Sequence, residues 1–209
     1  EFVEDLNKGK NSLHKVLSFE GTKDKIDVEI SMQYTDTYNE NIVSLWRYAK
    51  INNSNMSDSY AINDGGAVYI LDGVFTKIFQ TTFDNCSAIN NDGGAVYIDG
   101  YGTTINGAEF IDCSASSQNG AGGAIYINKE NHITFTHCYF ENNRCTDEGG
   151  AIYLDSTKSH LTLEYNIFIN NKANDKGNIV YNKGTYDKIH NNWYGSNSFD
   201  FSNELVEYN

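Results

Sequence analysis

Apolar positions along this chain fall into short alternating runs, with no helical spacing. Ile133-Thr134-Phe135-Thr136 and Leu161-Thr162-Leu163 alternate with period two and use β-branched and aromatic residues, which predicts strand. An apolar residue of such a run, at Ile78, Ile105, Phe135 and Leu163, stands five places before a phenylalanine. Those phenylalanines open Phe83-Asp84-Asn85-Cys86, Phe110-Ile111-Asp112-Cys113, Phe140-Glu141-Asn142-Asn143 and Phe168-Ile169-Asn170-Asn171. Trp193 reads as the last of the series. Five places after each phenylalanine comes a small residue, Ala88, Ala115, Cys145 or Ala173, suited to a narrow corner.

Between these runs one phrase returns: Gly65-Gly66-Ala67-Val68-Tyr69-Ile70, Gly93-Gly94-Ala95-Val96-Tyr97-Ile98, Gly122-Gly123-Ala124-Ile125-Tyr126-Ile127 and Gly149-Gly150-Ala151-Ile152-Tyr153-Leu154. A decayed copy follows at Gly177-Asn178-Ile179-Val180-Tyr181-Asn182. The second-glycine positions are spaced by 28, 29, 27 and 28 residues. A sustained period of that length belongs to a stacked solenoid, whose coils bury their apolar faces against one another. Short strands separated by Asn, Asp and Gly turns, about three per coil and rising about 4.8 Å per rung, predict an all-β parallel β-helix. Leucine-rich repeats share the period, but this chain lacks their leucine density and helical half-repeat. Alternation within the phrase turns Val68 and Ile70 and their equivalents inward. Ala67 and Tyr69 and theirs turn outward, so Tyr69, Tyr97, Tyr126, Tyr153 and Tyr181 form one outer column.

Residues 1–41 do not repeat and are read as an N-terminal cap and first strand. Phe2-Val3-Glu4-Asp5-Leu6 begins a capping helix or strand, and Ile26-Asp27-Val28-Glu29-Ile30 forms the strand. Residues 42–195 are the β-helix, opening on a weaker coil with Ile51, and with Met56 where later coils have phenylalanine. Residues 196–209 read as a tail or linker to further domains. The absence of proline suits strands running through the whole chain.

A net charge of -13, with Arg47 and Arg144 the only arginines, argues against nucleic acid or an anionic membrane as partner. There is no apolar run long enough to insert in a membrane and no leader-like start. The chain opens on Glu1 and reads as an excised or mature segment.

The Gly-Gly-Ala-(Ile/Val) and Phe-x-x-Asn motifs over residues 42–195 resemble the polymorphic outer-membrane protein repeat of bacterial surfaces. Phe140 to Asn143 and Phe168 to Asn171 match the second motif, whereas Cys86 and Cys113 replace its asparagine. Asn191-Asn192-Trp193-Tyr194-Gly195-Ser196-Asn197 is similar to the closing segment of adhesin-like proteins of methanogenic archaea. The resemblance implies a right-handed helix, an extracellular, cell-surface or cell-wall location, and attachment to glycans or surface proteins of other cells. It implies no catalytic residue.

Several residue sets have candidate chemistry. The tyrosine column offers flat apolar area and hydroxyls for a ligand, though cross-strand stacking alone would also explain it. Asp64 and Asp92, with Glu148, precede glycine pairs and could begin a calcium site, yet turn chemistry accounts for Asp-Gly-Gly without metal. His132 and His160 occupy equivalent places in adjacent coils and could begin a transition-metal site, but spacing shows no third ligand. Cys86 and Cys113 stack within disulfide reach or persist as buried thiols, the simpler account. Asn143 and Asn171 predict an internal amide ladder.

Polysaccharide lyases and hydrolases are the rival function. They need a base beside a cation, or paired carboxylates in a groove. Neither arginine has such a setting, and inserted loops that would break the coils are missing. The expected function is a non-catalytic surface adhesin module without a cofactor, with a β-helix enzyme or a structural stalk as alternatives.

Overall fold

A computed structural model describes residues 49–129 and 132–195, with the strand segments Phe2–Glu4, Lys15–Leu17, Val28–Ile30, Gln33–Thr35 and Val43–Trp46. The chain is an all-β parallel solenoid, and no helix occurs among the described residues. Each coil contributes to four sheets, where the repeat suggested three strands. The first sheet holds Val43–Trp46, Val68–Val74, Val96–Tyr101, Ile125–Ile127, Ile152–Leu154 and Val180–Asn182. The second is seven-stranded and runs from Val28–Ile30 to Thr185–His190. The third carries the phenylalanine motif, from Gln33–Thr35 to Ile167–Ile169. The fourth consists of two-residue strands at Tyr60–Ala61, Ser87–Ala88, Ser114–Ala115 and Arg144–Cys145. The small residues assigned to a corner are therefore the inward members of this short face. Ala88, Ala115, Cys145 and Ala173 are all buried.

Of the expected cap, Phe2–Glu4 pairs antiparallel with Lys15–Leu17, and Val28–Ile30 pairs parallel with Ala49–Ile51 as the first rung of the second sheet. The rest of residues 1–41 and the tail at 196–209 lie outside the described residues.

The interior consists of columns one rung apart. Phe83, Phe110, Phe140 and Phe168 stack with ring centroids 4.9 Å apart, close to the spacing of strands in a sheet. Each is fully buried, so each contributes about 1.5–3 kcal/mol of transfer free energy and further aromatic contact. Met56 pairs with Phe83 in register, and Ile51, Ile78, Ile105, Phe135 and Leu163 form the neighbouring column. The series ends on Tyr194, which stacks on Phe168 at 5.9 Å and is buried. Trp193, expected in that place, bridges Ile167 instead and is 58% exposed. Leu163 pairs with Ile189, and five residues beyond Ile189 is Tyr194.

Three of the four turns in each coil carry a recurring residue type. At one, Asp58, Asn85, Asp112, Asn142 and Asn170 have positive φ, and Asn and Asp tolerate that region best among residues with a Cβ. The next residue belongs to the expected amide ladder. Asn143 Nδ2 donates to Phe110 O at 2.9 Å and to Asn171 Oδ1 at 2.8 Å, while its Oδ1 accepts from Cys113 N. Asn171 Nδ2 donates to Phe140 O. In earlier coils Cys113 Sγ donates to Phe83 O and Cys86 Sγ to Met56 O, so thiol and amide satisfy equivalent carbonyls. A second, unforeseen ladder lies at another corner, where Cys138, Asn166 and Asn192 donate to Ile105 O, Phe135 O and Leu163 O.

The Gly-Gly pair makes the third of these corners. The first glycine has φ between 63° and 75° in the five copies. A Cβ on the second would lie 2.0 Å from Gly123 O at Gly94, and 2.1–2.2 Å from the corresponding carbonyl at Gly66, Gly123 and Gly150. The alanine after it does not face outward. Ala67, Ala95, Ala124 and Ala151 are fully buried in the core. Ala67 N and Val68 N both donate to Ala95 O, so the strand and its alternation start only at the valine.

Asn143→Val would remove the partner of the Phe110 carbonyl and of the Cys113 N–H, while Asn171 Oδ1 keeps its bond from Asn143 N. It is expected to cost about 2–3 kcal/mol in urea unfolding, with Asn143→Cys costing less because the thiol reaches the same carbonyl. Equal losses for the two variants would contradict the ladder.

Candidate functional site

The first sheet carries the tyrosine column in direct register, Tyr69 with Tyr97, then Tyr126, Tyr153 and Tyr181. Their rings are parallel within 5–13° and spaced 4.9–5.1 Å apart. Each inner ring thus presents both faces to its neighbours, and only ring edges and hydroxyls are available to a ligand. Exposure is smaller than an outward column suggests: Tyr126 and Tyr153 are 9% and 6% exposed and cluster with Ala121, while Tyr69, Tyr97 and Tyr181 are half-buried. Lys183 lies 5.3 Å from the Tyr153 ring centroid and pairs with Asp155, which accepts from the Tyr153 hydroxyl. Burial raises the hydroxyl pKa at Tyr97, Tyr126 and Tyr153, to about 12 at Tyr153. The charges of Asp64, Asp92, Asp99 and Asp155 add to this, so carboxylates flank the column.

Asp64 and Asp92 serve the next coil's backbone. Asp64 Oδ1 accepts from Asp92 N at 3.2 Å, and Asp92 Oδ1 accepts from Ala121 N at 2.8 Å. Burial pushes the Asp92 carboxyl up to about 6 against the Ala121 bond, with Asp64 adding repulsion. Glu148, at the equivalent place, is held up by burial and by Asp147, and pairs with Lys176 at 3.7 Å. Asp64 and Asp92 thus form a turn ladder, and among the described residues no three of these carboxylates gather as a calcium cage would require.

The expected histidine pair exists: His132 and His160 are directly opposite, with centroids 4.7 Å apart. The structure adds Asp187, whose Oδ1 is 2.9 Å from His160 Nδ1 and whose Oδ2 is 3.8 Å from His132 Nδ1. Spacing concealed it because the register shifts by one residue between the His160 strand and the last one. All four cysteines are buried thiols, and burial pushes Cys138 and Cys145 up to about 12. None has the exposed, electropositive surroundings of a reactive cysteine. A group missed in the sequence is Asp84 with Asp58 and Asp112 of the neighbouring coils' corners, where burial and then the two neighbouring charges raise Asp84.

Residues 37–207 match the right-handed β-helix region family. The chain belongs to that family. With the coils above, the match makes the solenoid right-handed, and the family contains both enzymes and non-enzymes. Residues 1–58 separately match the DNA gyrase B family. Over 44 residues the chain is 46% identical to the B subunit of DNA topoisomerase 4 from Staphylococcus aureus, in strains MW2 and Mu50 alike. That stretch is 21% of this chain and 7% of the topoisomerase chain, so the chain spans only a small fraction of these relatives. The lack of coil motifs in residues 1–41 sets the segment apart but does not reveal this likeness. No solved structure matches the chain.

Asp92 yields a pH test. Its carboxyl is harder to ionise in the folded chain than at the ordinary 3.8, so its contribution to stability is complete below about pH 4 and lost as pH rises through about 6. Asp92→Asn keeps the acceptor for Ala121 N. Thermal melts should show the variant more stable than wild type at pH 7.5 and no better at pH 4; a constant difference would contradict the shift.

Proposed function

We propose that the chain is a non-catalytic adhesin module of a cell surface or cell wall, whose solenoid presents a ledge of tyrosine edges and carboxylates to glycans or to surface proteins of other cells. The observation that carries this reading is the flanking of five stacked tyrosines by Asp64, Asp92, Asp99 and Asp155. Carboxylates and phenol groups are hydrogen-bond partners for sugar hydroxyls, and the rigid stack holds them at low entropic cost. Stacking of a sugar on an inner ring is not part of the proposal, because neighbouring rings occupy both faces.

The coils keep their register from the Lys77 strand to the His132 strand in the second sheet, a regularity that supports the non-catalytic reading. Arg144 lies on the short fourth face, paired with Ser114 and bridged to Lys172. One observation favours a second reading, a purely structural stalk: the same ring stacking strengthens the first sheet. The segment similar to DNA topoisomerase 4 is too small a part of that protein to bring its activity, and the acidic charge disfavours nucleic acid as partner.

The test is retention on a glycan and cell-wall array, with Tyr97→Phe and Asp92→Asn beside wild type. Both substitutions keep the stack and the coil. Wild-type retention with at least about tenfold loss in the variants is expected, the worth of one or two hydrogen bonds to a charged or phenolic group. Absence of retention by wild type would favour the stalk, and accumulation of cleaved polysaccharide would overturn the non-catalytic assignment.

A further inference from the structure

We infer that His132, His160 and Asp187 form a binding site for a borderline divalent transition ion, represented by zinc, on the outer face of the second sheet near its last strand. Two imidazoles in register would by themselves be a common surface pair. The third residue is what singles this place out. His160 pairs with Thr185 and Leu161 with Tyr186, but Thr162 pairs with Lys188, so Asp187 is an extra, bulged residue within the last strand. A bulge re-aims the side chain at its centre. Here it brings the carboxylate to 2.9 Å from His160 Nδ1 and 3.8 Å from His132 Nδ1. One ligand atom from each of the three residues lies within 4.8 Å of the other two. Thr185 Oγ1, 3.2 Å from His160 Nδ1, adds a hydroxyl at the rim.

The donor set selects the ion. Neutral imidazole suits zinc, nickel, copper and cobalt, whereas calcium and magnesium require oxygen cages. Metal–ligand bonds of about 2.0–2.2 Å place tetrahedral ligand atoms about 3.3 Å apart, so the three side chains need only a small inward swing. They are at liberty to make it, with side-chain exposures of 80%, 43% and 44%. Three protein ligands leave a position for water or for a group from a binding partner. The ion would also tie the strand Thr185–His190, the edge of its sheet, to the two rungs behind it.

The test is calorimetric titration of the whole chain with zinc in the presence of excess calcium, which occupies non-specific acidic sites. One saturable zinc per chain is expected. His132→Ala, His160→Ala and Asp187→Ala should each weaken it at least about tenfold, and His137→Ala should leave it unchanged. Zinc should raise the melting temperature of wild type but not of the His160→Ala/Asp187→Ala double variant. Absence of a saturable event, or wild-type affinity in any of the three single variants, would overturn the site.

Discussion

The structure depends on how closely successive backbones approach at the second glycine of each Gly-Gly pair. There the peptide of one coil sits against the carbonyl and turn backbone of the next, with no room for a single carbon: at Gly94, a Cβ would meet Gly123 O at 2.0 Å and Ser114 backbone at 2.6 Å. Side chains can rearrange, but backbone in a continuous ladder cannot, so the corner fixes the rise and register of every coil it joins. The other columns follow from that register. Phenylalanine falls on phenylalanine, amide on amide and tyrosine on tyrosine because the corner delivers each strand at the same height.

The fifth copy of the phrase supports this reading. Asn178 replaces the second glycine in the coil behind which no further first-sheet strand is described, and its Oδ1 accepts from Ala173 N at 3.0 Å. Among the described residues no following carbonyl presses on that corner, and the Asn178 side chain finds a local hydrogen bond.

Much of the fold was legible because these constraints are written as residue types at fixed spacing. Glycine pairs, Phe-x-x-Asn and period-two runs gave the coil, its length and its principal columns. What escaped was governed by local departures from the period. The extra residue at Asp187 hid the partner of the histidines, and Trp193 attracted the assignment that belongs to Tyr194. Ala67 fooled simple alternation because the strand starts one residue later. The tyrosine column was legible as a column, but its exposure was not, since burial of Tyr126 and Tyr153 depends on the rungs above and below and on Ala121. In residues 1–41 the sequence showed only that the coil motif stops, while the likeness to DNA gyrase B over residues 1–58 rests on a pattern with no repeat in it.

The corner and the tyrosine ledge belong to one design: a backbone lock sets the pitch, and the pitch fixes the spacing of every outward group, including those proposed to bind. The most direct test of the lock is urea unfolding of Gly123→Ala beside Asn178→Ala. The account predicts that Gly123→Ala unfolds the coils or costs more than about 4 kcal/mol, well beyond the usual effect of one substitution, while Asn178→Ala loses about 1 kcal/mol for one hydrogen bond. Comparable, small losses in both variants would contradict it, because the coils would then be held by their side-chain columns alone.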